Sequence, residues 1–202
     1  KMEEAIRQTW APKLLEKEEI VDVLYTYGRW DRDLKGDVEK HGDKLEIDHP
    51  EDYFQTSGKN AKTLKYVYEN YDFDYVFRTN LSAYIHADNL INYIKDKPRE
   101  NFYNGRQAKH PDKPHITYIS GAAFFLSRDL VKLVAENMDK IKFNTIDDIA
   151  LGEFLHNNEI ESTSGPRDSL LTRFKNWPGI KDNSHYHYRV HTIEGQPVHE
   201  RR

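Results

Sequence analysis

The sequence has no cysteine, no long apolar run and no excess of positive charge. Without cysteine the chain forms neither disulfides nor cysteine-ligated zinc sites, and thiol catalysis is excluded. No stretch reaches the roughly 18 apolar residues that a membrane-spanning helix needs, and no signal peptide is visible. We therefore expect a soluble, cytoplasmic protein with no membrane segment in this chain.

A net charge of −4 provides no general field that would attract nucleic acid. What the chain does have is aromatic content: 13 Tyr, 9 Phe and 3 Trp among 202 residues indicate a packed globule with aromatic-rich pockets. We expect one domain over residues 1–202, with an irregular segment at 165–202. The abrupt opening in "KMEEAIRQTWAP" suggests that a first strand is missing.

Predicted strands and helices alternate along the chain. Strands are predicted at 19–28, 44–49, 74–80, 101–107, 115–127 and 185–191. Helices are predicted at 2–8, 58–71, 86–97, 127–140 and 145–159, and a loop with a short helical piece at 29–44. This order predicts an α/β sandwich with a largely parallel central sheet. Ligands bind where such strands end, which places "RTNLS", "SGAAFF" and the start of "IDDIALGEF" on one functional edge.

Two aspartates, Asp147 and Asp148, open a predicted helix. Carboxylates at this position favour the helix dipole without any catalytic role. A carboxylate at the edge of a cleft also has the chemistry of a general base for an attacking hydroxyl. The small-residue step Ser120-Gly121-Ala122 lies inside an apolar strand, where glycine marks a close approach of the backbone to a ligand or to a packed helix.

Basic and imidazole side chains supply further candidates. The segment "SHYHYRVH" holds His185, His187 and His191, which fit either one metal ligand or an aromatic surface. Arg189 has the forked geometry that binds phosphate or carboxylate. Lys62 lies near the start of the helix at 58–71, close to where phosphate would bind, although a row of lysines there also fits a solvated face.

Taken in order, these segments resemble the β-1,3-galactosyltransferase and fringe-like glycosyltransferases, which include viral and bacterial relatives. The resemblance runs from about residue 2 to 191 through "EEAIRQTWAP", "DYFQTSGKNAKTLKYVYENY", "DYVFRTNLSAYIHADNLINYI", "ITYISGAAFFLSRDLV", "TIDDIALGEFL" and "HYHYRVH". Each motif alone is modest, and six in this order are specific. For a viral chain the expected compartment is the host cytoplasm.

The resemblance implies a GT-A fold, a Rossmann-like α/β domain that binds a nucleotide sugar, and an inverting displacement at the anomeric carbon. By position, the general base is Asp148, with Asp147 beside it. The implied donor is a UDP-sugar, and the acceptor hydroxyl belongs to a glycan, a protein or a lipid-linked sugar. The implied donor-binding residues are Arg7, Thr9, Lys62, Arg78, Asn80, Ser82, Gly121, Ala122 and Arg189.

The aspartate motif that holds the metal in this family falls on Asn80-Leu81-Ser82. Neither Asn nor Ser supplies the negative charge that Mn²⁺ or Mg²⁺ prefers. We expect an enzyme that requires no metal, with Arg and Lys stabilising the leaving diphosphate. The alternative is an ion held weakly by Asn80, Ser82 and His187 together with the phosphates.

Three functions stay open at this point. The first is an enzyme that transfers sugar, and the second is a non-catalytic relative that binds sugar or nucleotide. The third is an unrelated nucleotide-binding domain, which predicts that Asn80, Gly121 and Asp148 do not share a cleft. A modified nucleic-acid base is a remote acceptor, kept open only by scattered basic residues: Arg106, Lys109, Arg173, Lys175 and Lys181.

Overall fold

The computed structural model describes residues 1–20, 22–29, 34, 36–171 and 184–191. The helices in these ranges are α1 (Met2–Gln8), α2 (Trp10–Leu15), α3 (Thr56–Asn70), α4 (Ala87–Ile94), α5 (Arg128–Glu136) and α6 (Asp147–Asn157). Short 3₁₀ turns occur at Tyr53–Gln55 and Met138–Lys140. The strands are β1 (Tyr25–Gly28), β2 (Val38–His41), β3 (Lys44–Ile47), β4 (Tyr75–Thr79), β5 (Ala83–Ile85), β6 (Tyr103–Lys109), β7 (Thr117–Ser127), β8 (Ser162–Ser164), β9 (Asp168–Leu171) and β10 (His187–His191).

The long strand β7 lies inside a four-stranded sheet with the order β4-β7-β6-β8. It runs antiparallel to β4 and β6, while β6 runs parallel to β8. Two smaller sheets have the orders β1-β3-β2 and β5-β10-β9. Each of these also contains one parallel and one antiparallel pair.

The expectation of a largely parallel central sheet is therefore wrong, because the sheets are mixed. The physical reason lies at residues 110–116, which connect β6 to β7 without a helix. Neighbouring parallel strands need a crossover of about a dozen residues or more, so this short connection makes the pair antiparallel. Both strands were predicted from the sequence, and the length of the segment between them decides their relative direction.

Alternate side chains of β7 enter two different cores. Phe124 and Leu126 belong to the core packed against α3, α5 and α6. Phe125 belongs to the core shared with α1, α2 and α4. All three side chains are buried. Helices thus cover the sheet on both faces, as expected for the α/β class.

The predicted helices are confirmed within a few residues, although α4 and α5 end earlier than expected. The helix α2 was not predicted. Pro12 lies in the first turn of α2, where its missing N–H leaves no hydrogen bond unmade.

Two strands occur where irregular structure was expected. β2 falls within 29–44, and Gly42, with a φ of +63°, allows the tight turn that leads into β3. β9 falls within the predicted irregular segment and pairs in parallel with β10. The predicted strand at 19–28 is a strand only at β1.

Candidate active site

The carboxylate of Asp148 lies against the backbone of β7, at the start of α6. Its Oδ2 accepts a hydrogen bond of 2.8 Å from Gly121 N, and its Oδ1 accepts one of 2.9 Å from Ile149 N. Burial raises the pKa of Asp148 above its ordinary value of 3.8, and the charge of Asp147 acts in the same direction. The backbone donors and the charge of Arg78 oppose this shift without cancelling it. A buried carboxylate with a raised pKa has the properties of a general base.

The neighbouring carboxylate of Asp147 is held by other side chains. Its Oδ2 accepts 2.6 Å from Arg78 Nη2 on β4 and 2.5 Å from Asn60 Nδ2 on α3. These contacts tie the first turn of α6 to both elements. Asp147 was expected beside the base, and its contacts suit it to positioning rather than to accepting a proton.

Because Gly121 has no side chain, Arg78, Asp147 and Asp148 have room to meet beside it. A Cβ at this position would lie 3.1 Å from Arg78 Nη1, 3.3 Å from Asp147 Oδ1 and 3.3 Å from Asp148 Cβ. The close approach that the sequence predicted here is therefore one to the ion pair and to the candidate base. The neighbouring Ala122 is buried, and its carbonyl accepts 3.1 Å from Asn80 N.

The loop between β4 and β5 satisfies its own polar groups. Asn80 Oδ1 accepts 3.2 Å from Ser82 N and 3.0 Å from Ser82 Oγ. Ser82 is buried, and its carbonyl accepts 2.8 Å from Val190 N of β10. The structure thus brings Asn80, Ser82, Arg78, Gly121, Ala122 and Asp148 to one edge of the sheet, as the sequence predicted.

The three residues predicted as metal ligands, Asn80, Ser82 and His187, do not offer the charged oxygen ligands that a divalent cation prefers. Asn80 Oδ1 is already engaged by two donors, and Ser82 and His187 are buried, neutral groups. The ring of His187 has its pKa lowered to about 3, mainly by burial and further by the charges of Arg167 and Arg189. A cation bound here would add positive charge beside arginines with no carboxylate among its three proposed ligands.

Three of the predicted donor-binding residues are engaged elsewhere. Arg7 pairs with Asp43 and Glu3, and its guanidinium lies 3.9 Å from the centre of the Tyr25 ring. Thr9 Oγ1 donates to the carbonyl of Ala5 at 2.6 Å.

Lys62 is the third. Its Nζ donates 2.7 Å to the carbonyl of Asp48 and pairs with Asp37 at 2.9 Å. Within the described ranges, no hydrogen bond or ion pair connects Lys62, Arg7 or Thr9 to Asp148. Trp10, next to Thr9, does reach the start of β5, because its Nε1 donates 3.0 Å to the carbonyl of Ala83.

Arg167 is a site residue that the sequence reading missed. Its Nη1 donates 3.1 Å to Ser120 Oγ, directly before Gly121. Burial lowers the pKa of Arg167 to about 10, and the charges of Arg106 and Arg189 add to the effect. The only sequence signal was a basic residue just after "SGP". Of the other basic positions noted, Lys109 donates to Thr117 Oγ1 at 2.8 Å, and Arg173, Lys175 and Lys181 lie outside the described residues.

A family model described as galactosyltransferase matches residues 1–113 and 106–166. The matches include Asn80, Gly121 and Asp148 and cover most of the chain. The chain belongs to this galactosyltransferase family. The resemblance inferred from the six motifs is thereby confirmed.

Two curated proteins similar to this chain come from Arabidopsis thaliana. "Probable beta-1,3-galactosyltransferase 3" is 20% identical over 185 residues, which cover 75% of this chain and 45% of the relative. "Probable beta-1,3-galactosyltransferase 4" is 20% identical over 216 residues, which cover 91% of this chain and 53% of the relative. The chain thus spans about half the length of the curated relatives it matches. None of its described helices has the length and apolar character needed to cross a bilayer.

Proposed function

We propose that this glycosyltransferase moves a sugar from a nucleotide-sugar donor to an acceptor hydroxyl with inversion at the anomeric carbon, and that Asp148 is the general base. The observation that carries the proposal is the position of the Asp148 carboxylate, fixed 2.8 Å from Gly121 N at the edge of the sheet. Membership of the galactosyltransferase family supports the reaction class.

In the proposed step, the acceptor oxygen forms a bond to the anomeric carbon as its proton passes to a carboxylate oxygen of Asp148. The bond between the anomeric carbon and the diphosphate oxygen breaks, and its electron pair leaves with the diphosphate. Attack from the face opposite the leaving group inverts the configuration. The raised pKa of Asp148 suits this task, since a stronger base accepts the proton more readily.

The contacts around Asp148 support a fixed base. Arg78 and Asn60 hold Asp147, and the Gly121 and Ile149 amides hold Asp148 itself. Since a displacement of about 1 Å in a reacting group costs a large factor in rate, this rigidity favours catalysis.

The names of the two relatives favour galactose as the donor sugar and a saccharide as the acceptor, so UDP-galactose is the first donor to test. Glycan, protein and lipid-linked hydroxyls all suit the proposed chemistry. The net charge of −4 disfavours a nucleic-acid acceptor.

A second candidate is a relative that binds the nucleotide sugar without turnover. The observation that favours it is the uncharged pair Asn80 and Ser82 at the position of the family's metal motif. The contact of Asp148 with Gly121 disfavours it. The third reading, an unrelated nucleotide-binding domain, requires Asn80, Gly121 and Asp148 to lie apart. Hydrogen bonds to neighbouring residues of β7 bring them together instead.

The proposal is tested by incubating the chain with UDP-galactose, then other UDP-sugars, and a panel of saccharide acceptors. We expect release of UDP that depends on the acceptor. Proton NMR of the product should show a β-linkage formed from the α-linked donor. Binding of UDP-sugars without release of UDP from any of them would favour the second candidate.

A further inference from the structure

Two adjacent aromatic side chains are exposed to solvent just before α3. Phe54 is 63% exposed and Tyr53 is 57% exposed, the two highest values among the large apolar side chains of the described residues. Their ring centres lie 5.4 Å apart, and the ring planes are nearly perpendicular, at 84°. Exposed apolar side chains that lie together, unlike single ones, are typical of a binding surface.

The turn that carries this aromatic pair, Tyr53 and Phe54, is held by its own hydrogen bonds. Asp52 Oδ1 accepts 2.8 Å from Phe54 N, and the carbonyl of Tyr53 accepts 3.0 Å from Thr56 Oγ1. The carbonyl of Asp52 accepts 3.1 Å from Gln55 N, which closes the turn. Because these bonds fix the backbone, a ligand would meet a surface that is already in place, and little ordering would oppose its binding.

The aromatic pair lies near the candidate base. The turn continues directly into α3, and Asn60 of that helix donates 2.5 Å to Asp147 Oδ2, beside Asp148. From the rise per residue of the two kinds of helix, Tyr53 lies about 12 Å from Asn60 along the axis. An acceptor made of a few linked sugar rings spans such a distance.

Tyr118 of β7 is close to both the aromatic pair and Asp148. Gly152 follows Asp148 by one turn of α6 and packs on Tyr118, since a Cβ at Gly152 would lie 2.2 Å from Tyr118 Cβ. Residues four apart share a helix face, so Asp148 and Gly152 both face β7. Burial raises the pKa of Tyr118 above its ordinary value, and negative charge on Asp148 and on Tyr53 raises it further, so both groups lie near its hydroxyl. The half-buried Tyr118 thus continues the aromatic surface towards the base.

The chemistry of these side chains fits a saccharide. One face of a pyranose ring carries C–H groups, which pack on an aromatic ring and remove apolar surface from water. The hydroxyls at the rim of the sugar need hydrogen-bond partners, and the phenolic group of Tyr118 both donates and accepts.

The size of the patch disfavours a contact between two copies of the chain. Two aromatic side chains bury about 300–500 Å² at most. A stable contact between proteins needs about 1,200 Å² or more. The patch is therefore suited to a small ligand, and its distance from Asp148 matches one that extends from the reacting hydroxyl.

We propose that Tyr53 and Phe54 form an acceptor subsite, which binds a sugar ring one or more units away from the ring that carries the reacting hydroxyl, with Tyr118 between this subsite and the base. This inference rests on the proposed function. It makes the preferred acceptor an oligosaccharide, since only a longer chain reaches both Asp148 and the aromatic pair. Contacts with the distant ring help to orient the reacting hydroxyl.

The test is saturation-transfer NMR, which detects saccharide binding without any turnover. The ligands are the methyl β-glycosides of galactose, glucose and N-acetylglucosamine, each with its β-linked disaccharide and trisaccharide. For at least one of the three series, wild type is expected to bind the trisaccharide about 10-fold or more tightly than the monosaccharide, as for an aromatic contact that becomes fully buried.

Variants of the aromatic pair test its part in this preference. Phe54→Ala should lose most of the preference for the trisaccharide, because it removes the more exposed ring. Phe54→Tyr keeps a ring and should retain the preference. Leu15→Ala is the control, because Leu15 is also a large apolar side chain, 54% exposed, but lies at the end of α2. It should bind all the saccharides like wild type.

The inference is overturned if no series binds more tightly as the saccharide lengthens, or if Phe54→Ala binds the trisaccharides like wild type. It is also overturned if Phe54→Ala changes only the sedimentation of the chain, which would make the pair a contact between copies. Length-dependent binding that requires Phe54, without release of UDP from any donor, would leave this inference standing and contradict the proposed function. Transfer that does not depend on acceptor length would do the reverse.

Discussion

Two adjacent aspartates at the start of α6 differ because their contacts differ. Asp147 has the charge of Arg78 and the amide of Asn60 on the same oxygen, at 2.6 and 2.5 Å. Among the described residues, the donors to Asp148 are the backbone amides of Gly121 and Ile149. Side chains thus hold Asp147 in place, whereas burial raises the pKa of Asp148. Two residues that are adjacent in the sequence are therefore suited to different roles, Asp147 to positioning and Asp148 to accepting a proton.

The raised pKa of Asp148 predicts the pH dependence of transfer. The base works only when ionised, so kcat/KM should fall as the pH falls through this pKa. Because burial raises it, the acidic limb should lie above the ordinary aspartate range of about 4. The measurement is kcat/KM with UDP-galactose over a pH series in which the fold is checked by circular dichroism. A rate that is constant down to about pH 4 would contradict the assignment.

At the scale of elements, the site depends on how α6 packs against β7. Gly152 of α6 faces Tyr118 of β7, and a Cβ at Gly152 would lie 2.2 Å from Tyr118 Cβ and 3.0 Å from Tyr118 Cα. Part of this contact is backbone, so a side-chain rotation cannot relieve it. The same helix begins with the two aspartates, and a shift of α6 therefore moves the base.

Gly152→Ala should destabilise the chain by about 1–3 kcal/mol through overpacking and should lower kcat as well. Chemical denaturation measures the first effect, and the transfer assay measures the second. Gly36→Ala is the matched control, because no described atom lies within 4 Å of a Cβ there. Equal stability of the two variants would show that α6 adjusts freely against β7.

The elements also show which features a single sequence predicts. Apolar periodicity found α3, α5, α6 and β7, because these elements bury one face or both. It missed the short strands β2, β5, β8 and β9, which pair with β3, β10, β6 and β10 respectively. The antiparallel direction of β7 relative to β6 follows from the short connection at residues 110–116 rather than from any residue pattern.

For the whole molecule, the order of motifs placed Arg78, Asn80, Gly121 and Asp148 on one edge, and the structure brings them together. The motif order did not predict the positions of Arg7 and Lys62. These residues pair with Asp43 and Asp37, which belong to other segments of the chain. The sequence shows where the Arg and Lys side chains occur, but not which carboxylate forms an ion pair with each of them. Arg167 escaped notice for the same reason, since the long-range pairing of β8 with β6 and of β9 with β10 brings it to Ser120.

The central claim is that Asp148 is the base of a sugar transfer, and the most direct measurement compares Asp148→Asn with Asp139→Asn. Asp139 is exposed and forms no ion pair within the described ranges, so it controls for the loss of one carboxylate. We predict that Asp148→Asn lowers kcat for transfer from UDP-galactose by about 10²–10⁴-fold while UDP still binds, and that Asp139→Asn transfers like wild type. Transfer by Asp148→Asn at the wild-type rate would contradict the account.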